Sequence, residues 1–290
     1  MNADYWIYED SFIFKPEFNG SLDNYIDIIS NCGKLIFSNY DDVKVCIKTN
    51  NKFDDNYREN YNRSKFNQQI SGGVFDKLTQ LQQLTFGFYF NQPVMLSYGN
   101  CGVFDKLTQL QLLTFGYSFN QPVGKSLDKL IQLKQLTFGV SFNKPVGDGV
   151  FDKLSQLQQL TFGDRFNQTV DGIFDKLSQL QQLTFGHQFT QQLDIPSNIK
   201  ILKLNCNNVH IINNLPNGVE ELVLGYNFNL DLNDLPNSIK IISFDPNSFY
   251  YKELNNLPKS LEKLYLPEKY DKEIKNINSN CQIIYQSNKN

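Results

Sequence analysis

From Phe75 to Val94 the chain reads FDKLTQLQQLTFGFYFNQPV, and near-copies return from Phe104, Leu127, Phe151 and Phe174. The Phe that opens each FNQP-like turn falls at positions 66, 90, 119, 142, 166 and 189, in steps of 24, 29, 23, 24 and 23 residues. Self-similarity at such a period marks a stacked array, in which each unit is too small to bury a core alone and borrows its neighbours'. Two periods alternate inside the unit. Leu84-Thr85-Phe86 alternates apolar and polar, the pattern of a strand with one buried face. Phe75, Leu78 and Leu81 recur every third residue, which suits a short 3₁₀ turn. Gly87 is expected to let the chain turn out of the strand, and Pro93 to fix the next bend.

Stacking the copies aligns Leu84, Leu113, Leu136, Leu160 and Leu183 in one row and Phe86, Phe115, Phe138, Phe162 and Phe185 in a second. Both rows then form one core beneath parallel strands spaced about 4.8 Å apart. The long step carries an insertion, Met95–Cys101, placed on the outer side where it leaves the stack intact. The predicted fold is an α/β solenoid: a curved parallel sheet with short helical or extended segments on its convex side.

The flanks are less regular. Residues 1–65 read as an N-terminal cap with degenerate repeats, since Phe18-Asn19 precedes Phe66-Asn67 by 48 residues, two repeats of 24. Leu35–Phe37 and Val43–Ile47 read there as strands, the latter by clean alternation, and the polar run Asn50 to Arg63 reads as a loop or short surface helix. Residues 66–194 hold the repeats of 23–29 residues. Over residues 195–266 the units shorten and begin Leu-Pro or Ile-Pro, with prolines at 196, 216, 236 and 258. Strand positions Leu202, Leu222, Ile242 and Leu264 continue the core, and Asn207, Asn227 and Asn247, five residues after the first three of these, suit a ladder of amides satisfying backbone groups. Residues 267–290 read as a C-terminal cap ending in a strand at Cys281–Tyr285.

Composition narrows the function. Hydrophobic residues make up 40% of the 290, with 24 Phe and 15 Tyr, enough for a large core and too many for a disordered chain. The net charge of −3, with both signs interspersed, lacks the clustered basic face of a nucleic-acid binder. No stretch approaches the roughly 18 apolar residues of a membrane span. Five scattered cysteines without a CxxC give neither a disulfide framework nor a zinc site. With no signal-like N-terminus, they indicate reduced thiols in a cytoplasmic protein.

LxxLxLxxN and LPxxLxxLxL are the grammar of leucine-rich repeats. The Phe-Asn-Gln-Pro turns at Phe90 and Phe119, and Phe-Asn-Lys-Pro at Phe142, resemble the FNIP repeat family of social amoebae and amoeba-infecting giant viruses. The resemblance runs from about Phe66 to Leu266 and implies a leucine-rich-repeat-like solenoid. The Ile of the family motif is replaced throughout, Thr169 and Gln192 stand at the Pro, and Thr190 stands at an Asn. Some members carry an F-box before the repeats, which implies a ubiquitin-ligase adaptor; residues 1–65 lack its Leu-Pro-led start.

A catalytic site needs convergent nucleophile, base and orienting groups. His187 and His210, the only histidines, fall on different faces. The Asp76, Asp105, Asp128, Asp152 and Asp175 row sits on outer turns, each Asp followed by Lys, and reads as solvated or helix-starting carboxylates. Ser71-Gly72-Gly73 lacks a phosphate-loop frame. The expectation is therefore a non-enzymatic protein-interaction scaffold without cofactor or metal, whose protein partner the sequence does not name. An adaptor with a diverged N-terminus and a self-assembling structural protein are the alternatives. The copies diverge most in the dipeptide after each TFG, where a strand leaves the concave face. Phe88, Tyr89, Tyr117 and Val140 form an aromatic and apolar end of this rim, and Asp164, Arg165, His187 and Gln188 a polar one. Aromatic and Arg side chains are the usual anchors of protein interfaces.

Overall fold

A computed structural model of the chain describes residues 4–49, 63–70, 73–96, 102–147 and 149–286. The chain forms a parallel solenoid divided into two compact units: residues 1–157 with 172–178, and residues 158–171 with 179–290. In the first unit, β1 (Tyr5–Tyr8), β2 (Ser11–Phe14), β3 (Lys34–Phe37), β4 (Gln83–Thr85), β5 (Leu112–Thr114) and β6 (Gln135–Thr137) lie side by side in chain order. β1 pairs antiparallel with β2, so the edge of the first parallel strand is covered by a hairpin partner. From β2 onward each pairing is parallel and in phase: Phe12, Leu35, Leu84, Leu113 and Leu136 stand in one register row.

The second unit repeats the arrangement with β7 (Gln159–Thr161), β8 (Gln182–Phe185), β9 (Ile201–Leu204), β10 (Glu221–Leu224) and β11 (Ile241–Phe244). β12 (Leu254–Asn255) leaves this sheet to pair with β14 (Ile274–Lys275), while β13 (Lys263–Pro267) and β15 (Gln282–Gln286) continue it. β15 keeps the register, but its core-phase side chains Ile283 and Tyr285 are exposed.

The core is two columns of phenylalanine behind the strand leucines. Within each repeat of the first unit the strand-end Phe stacks on the turn Phe: Phe86 on Phe90 at 3.9 Å, Phe115 on Phe119 at 3.9 Å and Phe138 on Phe142 at 4.0 Å. Between repeats the same rings stack again, Phe86 on Phe115 at 5.8 Å and Phe90 on Phe119 at 6.0 Å. The column begins early, with Phe18 on Phe66 at 5.8 Å and interplanar 7°. Such ring pairs add about 0.5–1.5 kcal/mol each beyond the area they bury. In the second unit Phe162 on Phe166 and Phe185 on Phe189, both at 4.0 Å, continue the pattern. Phe228, Tyr250 and Tyr270 take the turn position further on. The outer turns are short i→i+3 bends, as in Phe75 C=O accepting Leu78 N–H and Leu78 C=O accepting Leu81 N–H, both at 3.0 Å.

Two sequence expectations are corrected and one is sharpened. Val43–Ile47 is not a strand: α2 (Val43–Thr49), preceded by a short α1 (Ile26–Ile29), is a helix. The Asp42 carboxylate caps it by accepting the N–H groups of Lys44 and Val45 at 2.7 and 3.1 Å. Ile13 and Ile36, paired across β2 and β3, face away from the phenylalanine core and need covering. Cys46 and Tyr40 bury them, with Trp6, Val43, Val45 and Ile47 packed around. Tertiary burial overrides the β-propensity of an alternating Val-Lys-Val-Cys-Ile.

Gly87, secondly, opens the turn out of the strand as expected, its C=O accepting Phe90 N–H at 3.4 Å, but without an unusual backbone angle; the glycines with positive φ are Gly73, Gly124, Gly149 and Gly172 among the described residues. Gly87 and its equivalents are needed for close approach. A Cβ on Gly116 would lie 1.8 Å from the Gly87 carbonyl oxygen, and one on Gly139 1.9 Å from that of Gly116.

Thirdly, the amide ladder of the later repeats uses Asn205, Asn207 and Asn229. Asn205 Oδ1 accepts Asn227 N–H, Asn207 Oδ1 accepts Asn229 N–H, and Asn229 Oδ1 accepts Tyr251 N–H. Asn247 donates its N–H to Asp245 Oδ1 instead. The segment Asn50–Asn62, Ser71-Gly72 and most of the Met95–Cys101 insertion (Ser97–Cys101) lie outside the described residues.

Candidate functional site

The residue after each strand-end glycine leaves the sheet at its rim. In the first unit this places Phe88, Tyr117 and Val140 one above another. Their backbones are tied together: Phe88 C=O accepts Ser118 N–H and Tyr117 C=O accepts Ser141 N–H, both at 2.9 Å. Phe88 is only 5% exposed. Its ring stacks on Tyr117 at 4.5 Å and 9°, lies under the Arg63 guanidinium at 4.4 Å, and meets Tyr89 edge-on at 4.8 Å. The buried Asn39 holds the backbone beneath by accepting Phe88 N–H at 2.8 Å and Ser64 N–H at 3.2 Å. Phe88 therefore serves the stack. Tyr89, 43% exposed, is the ring this rim offers to solvent, with Tyr117 and Val140 half-buried.

In the second unit Asp164 is also committed to structure. Its backbone carbonyl accepts Gln188 N–H at 2.8 Å, and its Oδ1 faces His187 N–H and Asn205 Nδ2, each at 3.4 Å. Arg165, His187 and Gln188 are exposed. His210, near the start of α3 (Val209–Asn213), lies 3.1 Å from Asp194 Oδ1 and not beside His187.

The same rim position recurs later in a frame the TFG motif does not mark. Leu222-Val-Leu-Gly-Tyr-Asn-Phe-Asn229 aligns with Leu113-Thr-Phe-Gly-Tyr-Ser-Phe-Asn120 residue for residue, which puts Tyr226 where Tyr117 stands. Tyr226 is 45% exposed and meets Phe249, 69% exposed, edge-on at 5.6 Å. Tyr251, 61% exposed, has the Lys252 ammonium 5.9 Å from its ring centre. Tyr226, Phe249, Pro246, Asn247, Ser248, Glu268 and Lys269 line a cleft of about 210 Å³. This cluster was readable from the aligned Leu-x-x-Gly-Tyr frame but not from TFG alone.

Burial pushes the thiols of Cys32, Cys46 and Cys206 up to about 11, away from the thiolate a nucleophile requires. Among the described residues no three His, Cys, Asp or Glu side chains gather as a cation site, and no helix is long and apolar enough to cross a membrane.

The FNIP repeat model matches residues 189–227 and 207–245. The match starts at Phe189 and crosses into the Leu-Pro-led units, where Phe228-Asn229 keep the ring and amide roles of Phe119-Asn120. No curated protein matches the sequence. Among solved structures, CroV588, a circular leucine-rich-repeat protein of a giant virus, is 21% identical with a TM-score of 0.57, over 97% of this chain and 50% of that one. The chain thus spans about half the length of CroV588. Internalin InlF of Listeria monocytogenes is 15% identical with a TM-score of 0.51, over 96% of this chain and 87% of that one. A chain of the Drosophila Toll–Spätzle complex is 12% identical with a TM-score of 0.50, over 95% of this chain and 42% of that one. These likenesses concern the fold. The chain is a repeat protein that matches the FNIP repeat over residues 189–245 and folds as a leucine-rich-repeat-like solenoid.

Proposed function

We propose that the chain is a non-enzymatic scaffold that binds protein partners through the rim of its sheet. The observation that carries this reading is the contrast between a stack repeated almost letter for letter and a rim that changes side chain at every turn. Tyr89 in the first unit, and Arg165, His187 and Gln188 in the second, are exposed residues held on a rigid ladder. A pre-ordered surface loses little side-chain and loop entropy on association, which favours binding. Residues 4–37 supply β1, β2 and β3 to the first unit's stack, which gives the ligase-adaptor alternative no support.

The test is affinity capture with the intact chain, then binary binding of whatever protein is retained to wild type and to Tyr89→Ala and Arg165→Ala/His187→Ala variants. Loss of binding in at least one variant that melts like wild type supports the reading. Equal binding by wild type and all variants removes the rim from it, and a chain that captures no protein specifically removes the scaffold role.

A further inference from the structure

The last strand of the second unit is an open edge. β15 pairs in parallel with β13 along its whole length and, among the described residues, with nothing beyond it. Gln282 N–H donates to Glu262 C=O at 2.9 Å. By the alternation of a parallel ladder, Gln282, Ile284 and Gln286 turn their backbone groups to β13, and Ile283 and Tyr285 turn theirs outward. The same two residues hold the core phase. Their register partners Leu264 and Leu266 are fully buried, whereas Ile283 is 39% and Tyr285 52% exposed. Such an edge is a template for another strand, and proteins blunt it with charge, proline or a bulge. β15 has none of the three: its register runs unbroken and its sequence, QIIYQ, is neutral. β1, the outer strand of the first unit, is by contrast flanked by Asp4, Glu9 and Asp10.

We infer that this edge pairs with β15 of a second copy of the chain, antiparallel about a two-fold axis at Ile284. The strand itself argues for that occupant, because it is complementary to its own reverse. Turned about Ile284, it sets Ile283 against the partner's Tyr285, Gln282 against the partner's Gln286, and Ile284 against its own counterpart. Ile283 and the partner's Tyr285 both face outward, so each such pair exchanges both of its backbone hydrogen bonds. Sliding the strands to the next matching register shortens the paired stretch. Each Ile–Tyr pair joins a β-branched to an aromatic side chain on the core face, a favourable cross-strand combination. No charge of either strand meets another. A two-fold contact closes on itself, whereas β15 laid on the partner's β1 would propagate without end.

Sedimentation velocity of the purified full-length chain tests this without any cellular partner. Between about 1 and 100 μM, the range of a small interface, monomer should give way to dimer and to nothing larger. Ile283→Pro deletes an outward N–H and keeps every bond to β13, so that variant should stay monomeric. Ile284→Lys and Ile284→Glu each set like charges opposite one another at the axis and should weaken the dimer at least about tenfold. An equimolar mixture of these two variants should dimerise again, which misfolded chains would not do. A wild type that stays monomeric throughout the range, a dimer indifferent to Ile283→Pro, or folded Lys and Glu variants that fail to rescue each other would overturn the inference. Open-ended growth would also overturn it, and would put the next copy's β1 on β15. None of these results touches the rim residues Tyr89, Arg165 and His187, whose test is separate.

Discussion

The side-chain oxygen of Asn91 accepts the backbone N–H of Asn120, one repeat on, at 2.8 Å. The link is one rung of a ladder. Asn67 Oδ1 accepts Asn91 N–H and Asn120 Oδ1 accepts Asn143 N–H, both at 2.9 Å. The Gln of the turn ties back in two of these repeats: Gln92 Nε2 donates to the Asn67 carbonyl at 3.0 Å, and Gln121 Nε2 donates to the Asn91 carbonyl at 3.1 Å and to its Oδ1 at 3.2 Å. The Asn of FNQP is thus a hydrogen-bond terminal for the turn above it. Asn91→Ala should cost about 1–3 kcal/mol, the penalty of a donor left without its acceptor. Asn91→Asp keeps the acceptor and should cost less. Urea denaturation of the two variants measures the difference, and equal losses would show that the ladder adds nothing beyond side-chain packing.

Close approach at Gly116 makes a sharper prediction. The added methyl of Gly116→Ala would meet the Gly87 carbonyl oxygen at 1.8 Å, and neither backbone can withdraw without breaking the stack. A methyl on Gly147 would meet nothing within 4 Å, so Gly147→Ala is the matched control. Gly116→Ala should be expressed unfolded or lose more than about 3 kcal/mol, the range of severe steric lesions. Gly147→Ala should stay within about 0.5 kcal/mol of wild type. Circular dichroism melts of the pair decide it.

The stack was legible because repetition amplifies a weak local signal: Leu84 and Phe86 alone bracket three residues of alternation, but five copies make two rows. The residues that escaped were those whose role is set by another layer. Cys46 and Ile47 are helical because Ile13 and Ile36 need a cover, a demand arising more than thirty residues away in the case of Ile13 and invisible to a period-two reading. Asn67, Asn91 and Asn120 looked like turn formers, because a side chain reaching a neighbouring repeat leaves no trace in its own. Phe249 and Tyr226 escaped because the TFG motif ends at Gly186, whereas the frame it marks continues through Gly225.

Phe88 and Tyr89 are adjacent, yet they should respond to truncation in opposite ways. Phe88 is sandwiched between Arg63 and Tyr117, so Phe88→Ala should destabilise the chain by about 3–5 kcal/mol, as for other buried phenylalanines. Tyr89→Ala, at an exposed site, should leave stability within about 0.5 kcal/mol and act on partner binding alone. Chemical denaturation paired with binding assays separates the two. Equal stability of Phe88→Ala and wild type would mean that the ring is not part of the stack.

Buried thiols set an alkaline limit on the fold. Cys46 and Cys206 are almost wholly inaccessible, and burial raises both from the ordinary 9 to about 11. The folded state binds these protons more tightly than the unfolded one, so their contribution to stability is complete below pH 9 and is lost as pH rises from 9 towards 11. Tyr270, raised by burial from 10 to about 12, adds a loss of the same sign above pH 10. The melting temperature should therefore be flat in these groups near neutrality and fall progressively above about pH 9. A Cys46→Ala/Cys206→Ala variant removes the thiol part, so its decline between about pH 9 and 11 should be shallower than that of wild type, even if its melting temperature at neutral pH is lower. Thiol titration at neutral pH gives a second check: Cys46 and Cys206 should react with a disulfide reagent only after denaturation, and rapid labelling of the native chain at either position would contradict their burial.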